Sequence, residues 1–238
     1  MIPMETVYTD GFYRPRNSQT EYAANHVISV LLERFLEINS AIDIGCGVGT
    51  WLKVFKEKTG GNVLGVEGSW LDNSLLEIKE DEFFERDLKE PFYFENKFDL
   101  AISLEVAEHL PNEVSDQFVH CLSNLADVIL FSAAIPGQKG THHINCQWQT
   151  FWVKKFSENG FVLLDFIRPR IWNDVNIPIH YKQNILVFYR SDEEVTINGI
   201  TDLVHPESYL AATNIDIGIR DSLLILMHNL KKFFTRVK

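Results

Sequence analysis

The sequence predicts an α/β protein with a doubly wound, mostly parallel sheet and helices on both faces. Three observations carry this. Apolar runs of strand length alternate with stretches of helical periodicity across residues 40–190. The run "DVILFSAAI" is almost continuously apolar, as a strand covered on both faces must be. "AIDIGCGVGT", at 41–50, breaks from a strand into three alternating glycines, which suits a tight turn or a ligand pressed against the main chain.

The elements follow in order. Tyr22, Ala23, His26, Val27, Val30, Leu31, Arg34 and Phe35 recur at three- and four-residue spacing and predict an amphipathic helix over 18–38. "AIDIG" is the first strand. A helix over 50–58 carries Trp51, Leu52, Val54 and Phe55 and stops at Gly60 and Gly61. "NVLGVEG" is the second strand, 71–79 a short helix, "FFERDL" a weaker third strand, "FDLAISLEV" the fourth, and 112–125 a helix. "DVILFSAAI", a helix over 147–159, "FVLLDFI" and "NILVFYR" complete a set of seven strands. The last two strands follow one another without a helix, which predicts an antiparallel pair at one edge. The organisation is a leader and helix over 1–39, a core over 40–190 and an extension over 191–238.

A chain of 238 residues, 45% hydrophobic and 12% aromatic, fills one good core and leaves little room for a second large domain. The net charge of −11 repels phosphate backbones, so no nucleic-acid partner is expected. Cys46, Cys121 and Cys146 are odd in number and lack paired short spacing, which fits a reducing cytoplasm. No stretch approaches the roughly 18 apolar residues of a spanning helix. A soluble, unexported protein is expected.

In doubly wound sheets ligands sit beyond the carboxyl ends of the strands, where the strand order reverses. The glycine turn lies at such an end. A dinucleotide fingerprint would place glycine or alanine where Thr50 stands, so the pyrophosphate reading weakens. Glu67 ends the second strand, where an acid can hold ribose hydroxyls, and Asp87 ends the third, where another could meet a base amino group. Together these residues describe an adenosine cradle.

At these residues the chain resembles a known family. "IDIGCGVGTWL", "GVEGSW", "ERDL" and "LAISLEVAEHLP" are similar to the successive motifs of class I S-adenosylmethionine-dependent methyltransferases, a Rossmann-like fold, over about residues 40–190. The resemblance implies S-adenosyl-L-methionine as cofactor. It places Asp43, Gly45, Gly47 and Gly49 at the methionine part, Glu67 at the ribose, Asp87 with Leu88 at the adenine, and Leu104 and Glu105 beside the donor methyl.

Methyl transfer to a hydroxyl also needs a base, and histidine suits that task because its unperturbed pKa is about 6.5. "IPGQKGTHHINCQW" follows the fifth strand on the same face, and its proline and glycines make it a loop rich in donors and acceptors. Bacterial methyltransferases of this kind, several near polysaccharide genes, carry a similar "GxxHxNxQW" segment, with His143 at the matching histidine. His142 and Cys146 depart from that pattern, which has a small residue and an acid there. His143 is therefore the candidate base, with His109 of "EVAEH" the second choice. His142, Asn145, Gln147 and Trp148 are candidate acceptor contacts, joined by Arg170 and Tyr181 from "IRPRIWNDVNIPIHYKQN", a stretch suited to a phosphate or sugar. His142, His143 and Cys146 could ligate a metal, but no fourth ligand stands at recognisable spacing and none is expected.

Two flanks carry further expectations. Tyr8, Tyr13, Arg14 and Arg16 suit a lid over the cofactor. Residues 219–238 show an apolar helical stripe ringed by lysines and arginine, suited to docking on the core or a second subunit, or to an anionic membrane surface. The chemistry expected is O-methylation of a sugar, nucleotide-linked sugar or related small metabolite. The alternatives are N- or carboxyl-methylation, or a non-catalytic protein that binds the cofactor for regulation.

Overall fold

The computed structural model describes residues 10–192 and 201–213, with backbone alone at 10 and 12–16. The chain divides into two compact units, Met1–His205 and Pro206–Lys238. The described part of the second is one helix, α7 (Pro206–Thr213). Tyr8 and the stripe over 219–238 lie outside the described residues, as do the side chains of Tyr13, Arg14 and Arg16.

The first unit is built on seven strands: β1 (Ser40–Ile44), β2 (Asn62–Glu67), β3 (Phe83–Glu85), β4 (Leu100–Leu104), β5 (Val128–Ser132), β6 (Phe161–Leu164) and β7 (Leu186–Arg190). They lie in the order β3-β2-β1-β4-β5-β7-β6. The order reverses between β1 and β4, which pair in parallel. β7 runs antiparallel to both β5 and β6, so the reversed strand is the one next to the edge.

Alternation along the strands explains why both faces are covered. Ala41, Leu100, Ile102, Val128, Leu130 and Val187 point into one core, shared with α1 (Asp10–Arg34) and α2 (Thr50–Thr59). Their neighbours Ile42, Ala101, Ile129, Phe131, Leu186 and Phe188 point into the other, beneath α3 (Ser115–Leu125) and α4 (Gln149–Glu158). With side chains of period two packed on both sides, the central strands have no polar face.

Three expectations need correction. Helix α1 spans Asp10–Arg34, so it begins and ends earlier than periodicity suggested; Leu36, beyond its end, is exposed. Residues 71–79 form only a single 3₁₀ turn, Asn73–Leu75, capped by the Asp72 side chain on the Ser74 amide. The last two strands are not directly joined: α5 (Arg168–Ile171) and α6 (Ile179–Asn184) lie between them. Pro169 and Pro178 open these short helices, a place where proline's missing N–H costs nothing.

Candidate active site

A cavity of about 530 Å³ opens at the strand reversal. Asp43 at the end of β1 and Leu104 and Glu105 at the end of β4 line it. Gly45, Gly47, Glu67, Asp87 and Leu88 border it too. The glycine turn is held by its own backbone: the Gly45 amide donates to the Val66 carbonyl at 2.8 Å, and Gly49 to Cys46 at 2.9 Å. Gly45 has φ 84°, and a Cβ there would fall 2.3 Å from Cγ2 of Val106. No side chain fits that position. Gly49 also has a left-handed backbone, but it turns toward Ile78 and begins α2 without bordering the cavity.

The two strand-end acids differ from the third. Glu67 is buried and accepts from the Gly47 amide at 3.0 Å and the Gly68 amide at 2.9 Å. Burial raises its carboxyl above the usual range against the pull of those two donors. Asp43 is raised well above its usual value, first by burial and then by the charge of Glu67. Asp87 lies two residues past β3, exposed, and caps a turn by accepting from the Lys89 amide.

Glu105 is one of two described non-glycine residues with positive φ, at 56°. That conformation costs energy and is held here by a surrounding network. Its amide donates to the Ser132 carbonyl, and its carboxylate accepts from Gln138 Nε2 at 2.8 Å and Asn184 Nδ2 at 3.0 Å.

Beside Glu105, the turn 107–109 and the loop after β5 bring together a group that the sequence reading only half found. Glu108 is fully buried, and neither carboxylate oxygen makes a hydrogen bond of ordinary geometry, with the Ala134 amide, its own amide and the Glu105 carboxyl close by. Burial, then the nearby Glu105 charge, push its carboxyl well above the usual range. His143 Nε2 lies 3.9 Å from Glu108 Oε1. The rings of His109 and His143 meet edge to face with centroids 5.0 Å apart. His109 is pushed down to about 4, by burial first and then by His143, so it is neutral at pH 7. Both imidazoles rest Nδ1 on a backbone carbonyl: His109 on His142 at 3.3 Å, and His143 on Gln138 at 3.2 Å. A carbonyl only accepts, so Nδ1 carries the proton and Nε2 the lone pair in each neutral ring.

Gly140 makes room for this arrangement. A Cβ there would fall 2.0 Å from His143 Nε2. Neither Glu108 nor Gly140 stands out in the sequence: Glu108 reads as one acid in "EVAEHL", and Gly140 as one glycine in a loop.

Gln138, Lys139 and Thr141 of the loop also line the cavity, whereas His142, Asn145, Gln147 and Trp148 do not. The Ile144 and Asn145 amides both donate to the Glu108 carbonyl, at 2.9 and 3.0 Å. Asn145 is buried; its Nδ2 donates to Ser115 Oγ at 3.0 Å, and its Oδ1 accepts from Gln147. Asn145 and Gln147 therefore fasten the loop instead of lining the cavity, because a buried loop must satisfy its polar groups internally. His142 supplies its carbonyl to His109, while its buried Nε2 lacks a hydrogen bond. Trp148 precedes α4, half exposed, and Arg170 pairs with Glu33 of α1 on the surface. Tyr181 does border the cavity: Trp51 Nε1 donates to its hydroxyl at 3.4 Å, and burial pushes its phenol up to about 12.

A glycine turn at the strand reversal, with buried acids at neighbouring strand ends, defines a nucleoside-binding α/β enzyme. A family model described as "Methyltransferase domain" matches residues 16–134. The chain belongs to that family and is an S-adenosyl-L-methionine-dependent methyltransferase. No curated protein matches it. Among solved structures it is similar to the sugar N-methyltransferase KedS8 from Streptoalloteichus sp ATCC 53650, at TM-score 0.60 and 16% identity, covering 77% of this chain and 92% of that one. DesVI of Streptomyces venezuelae gives 0.59 and 16%, covering 80% of this chain and 100% of that one. Magnesium protoporphyrin IX methyltransferase from Synechocystis PCC 6803 gives 0.53 and 19%, covering 73% and 81%. At such identities the likeness concerns the fold. Among the described residues no helix is long and apolar enough to cross a membrane.

Proposed function

We propose that this methyltransferase acts on an oxygen of a small hydroxylated acceptor, a sugar or nucleotide-linked sugar. The observation that carries this reading is the meeting of Glu108, His109 and His143 at the cavity wall. An amine or carboxylate acceptor needs less base catalysis, because its unprotonated form already offers a lone pair; a hydroxyl must lose its proton as it reacts.

The residues at the strand reversal fit the cofactor. Gly45 and Gly47 border the cavity with main chain alone, and the buried carboxyl groups of Asp43 and Glu67 match a cationic nucleoside with ribose hydroxyls. When bound, S-adenosyl-L-methionine supplies an electrophilic methyl group on a sulfonium. Asp43 and Gly47 would hold its amino-acid part, Glu67 the ribose, and Asp87 and Leu88 the adenine. The acceptor would lie among Trp51, His180 and Tyr181, apolar rings with polar edges that suit a sugar face. In the metal-free protein, His143 takes the hydroxyl proton at Nε2. Glu108 Oε1, 3.9 Å from that nitrogen, stabilises the resulting imidazolium.

The test is incubation of the full chain with the methyl donor and a panel of sugars and nucleotide-linked sugars, with mass spectrometry locating the new methyl. An oxygen-linked methyl is expected; a methyl on nitrogen or carboxylate overturns the acceptor reading, and donor binding without turnover on any acceptor points to a regulatory role. His143→Ala should lower turnover about 100-fold while calorimetric donor affinity stays unchanged. Undiminished turnover removes His143 from the chemistry.

A further inference from the structure

Three ligand-bearing atoms, one each from Glu108, His109 and His143, lie within 4.8 Å of one another. We propose that they form a binding site for a divalent transition-metal ion, open toward the cavity. The reading of the sequence missed it because Glu108 and His109 come from the turn after β4, and His143 from the loop after β5. No linear spacing joins them.

Four observations support the site. First, the chemistry of the donors is right: two imidazoles and a carboxylate suit zinc, iron, manganese or cobalt ions. Second, the histidines are already oriented. A ligating histidine almost always donates its other ring N–H to a carbonyl or carboxylate, which fixes the tautomer and aims the ring. Both imidazoles here do so through Nδ1, which leaves Nε2 for a ligand.

Third, the carboxylate is poorly satisfied. Glu108 is wholly buried and neither oxygen makes a hydrogen bond of ordinary geometry, with only the Ala134 amide, its own amide and the Glu105 carboxyl close by; a bound cation relieves that cost, as a proton also does. The pair with His143 does not relieve it, because 3.9 Å is too long for a hydrogen bond. Fourth, the size is right. Ligands bound at about 2.1 Å stand roughly 3.4 Å apart around a tetrahedral ion, so the 3.9 Å pair needs to close by about 0.5 Å and no pair, all lying within 4.8 Å, by more than about 1.4 Å. Glu105 lies next to the group and adds negative charge to it, although its own oxygens are engaged by Gln138 and Asn184.

Three protein ligands leave positions open, as catalytic sites do. All three residues border the cavity, so those positions face the acceptor. Two neighbouring hydroxyls of an acceptor suit them, and an ion there would hold the reacting oxygen as its alkoxide, the hydroxyl proton leaving to water in the cavity instead of to His143. That consequence rests on the oxygen-acceptor reading; the site itself does not.

The experiment uses the full chain stripped with chelator and then titrated with CoCl₂ and ZnCl₂, with neither donor nor acceptor present. Calorimetry reads the stoichiometry, and visible absorption of bound cobalt reads the geometry. One equivalent is expected to bind saturably, with absorption bands of imidazole–carboxylate coordination. Glu108→Gln and His109→Ala should each weaken binding at least about 100-fold, while His120→Ala, an exposed histidine of α3 away from the cavity, leaves it unchanged. Thermal melts and donor affinity establish that each variant is folded. Absence of saturable binding in the unsubstituted chain overturns the proposal, as does undiminished binding in folded Glu108→Gln and His109→Ala. Failure to methylate any hydroxyl leaves these binding data intact, so the two readings fail separately.

Discussion

Gly140 lies so close to His143 that a Cβ on the glycine would stand 2.0 Å from Nε2 of the imidazole. The loop after β5 thus positions its histidine by omitting a side chain three residues earlier. Gly140→Ala must push the ring away from Glu108 and His109. A displacement of about 1 Å at a reacting group can cost 100-fold. Turnover should fall by that order while donor affinity and melting temperature stay near those of the unsubstituted protein, since residue 140 itself is exposed. Steady-state kinetics beside calorimetry check this, and unaltered turnover removes the positioning role.

Asp43 is a carboxyl group placed where the fold disfavours charge. Its carboxyl is raised by burial and by Glu67, whose own carboxyl is also raised by burial. The folded state therefore binds more protons than the unfolded state between the ordinary carboxylate range and the raised value. Stability of the ligand-free protein falls as pH rises through that window, and the cost is complete above it. A cationic donor reverses the preference, so donor affinity should rise with pH across the same window. Asp43→Asn should raise the melting temperature of the ligand-free protein at neutral pH, weaken donor binding about 10- to 100-fold and flatten its pH dependence. Melts and binding isotherms across an acidic-to-neutral series test both signs.

Asn145 fastens the loop from within. Asn145→Ala leaves Ser115 Oγ and the Gln147 amide without their partner in a buried setting. A loss of about 1–3 kcal/mol is expected, measured by denaturant unfolding. Turnover should fall with the released loop, whereas donor affinity should hold.

Arg170 offers a contrasting outcome. Its guanidinium forks onto Glu33 at 2.6 and 3.1 Å on an exposed surface, away from the cavity. Arg170→Ala should leave KM, kcat and melting temperature within experimental error, as exposed ion pairs contribute little. A raised KM would return Arg170 to the acceptor site.

Much of the architecture was readable from local pattern. "AIDIG" and "DVILFSAAI" announce buried strands because a strand covered on both faces has no polar side, and Gly60 marks the end of α2 because its left-handed backbone suits glycine. Residues 71–79 misled because a short apolar recurrence fits a helix as well as a capped 3₁₀ turn, and Asp72 settles the choice through its bond to the Ser74 amide. In the loop after β5, polar side chains alone could not separate ligand contacts from fasteners. Asn145 and Gln147 proved to be internal, because the loop packs against the turn at Glu108 and must satisfy its own donors and acceptors.

By itself the sequence determined the order of the seven strands and of the helices α1 to α4, the glycine turn and the acids placed at strand ends. These are written in residues adjacent along the chain, and backbone geometry acts over a few residues at a time. Only the tertiary structure decided that Glu108, His109 and His143 share one wall, that Gly140 makes room for them and that Arg170 faces away. Parallel pairing of β4 and β5 sets their following loops side by side, and that adjacency arises from sheet hydrogen bonds between segments with no common local signal.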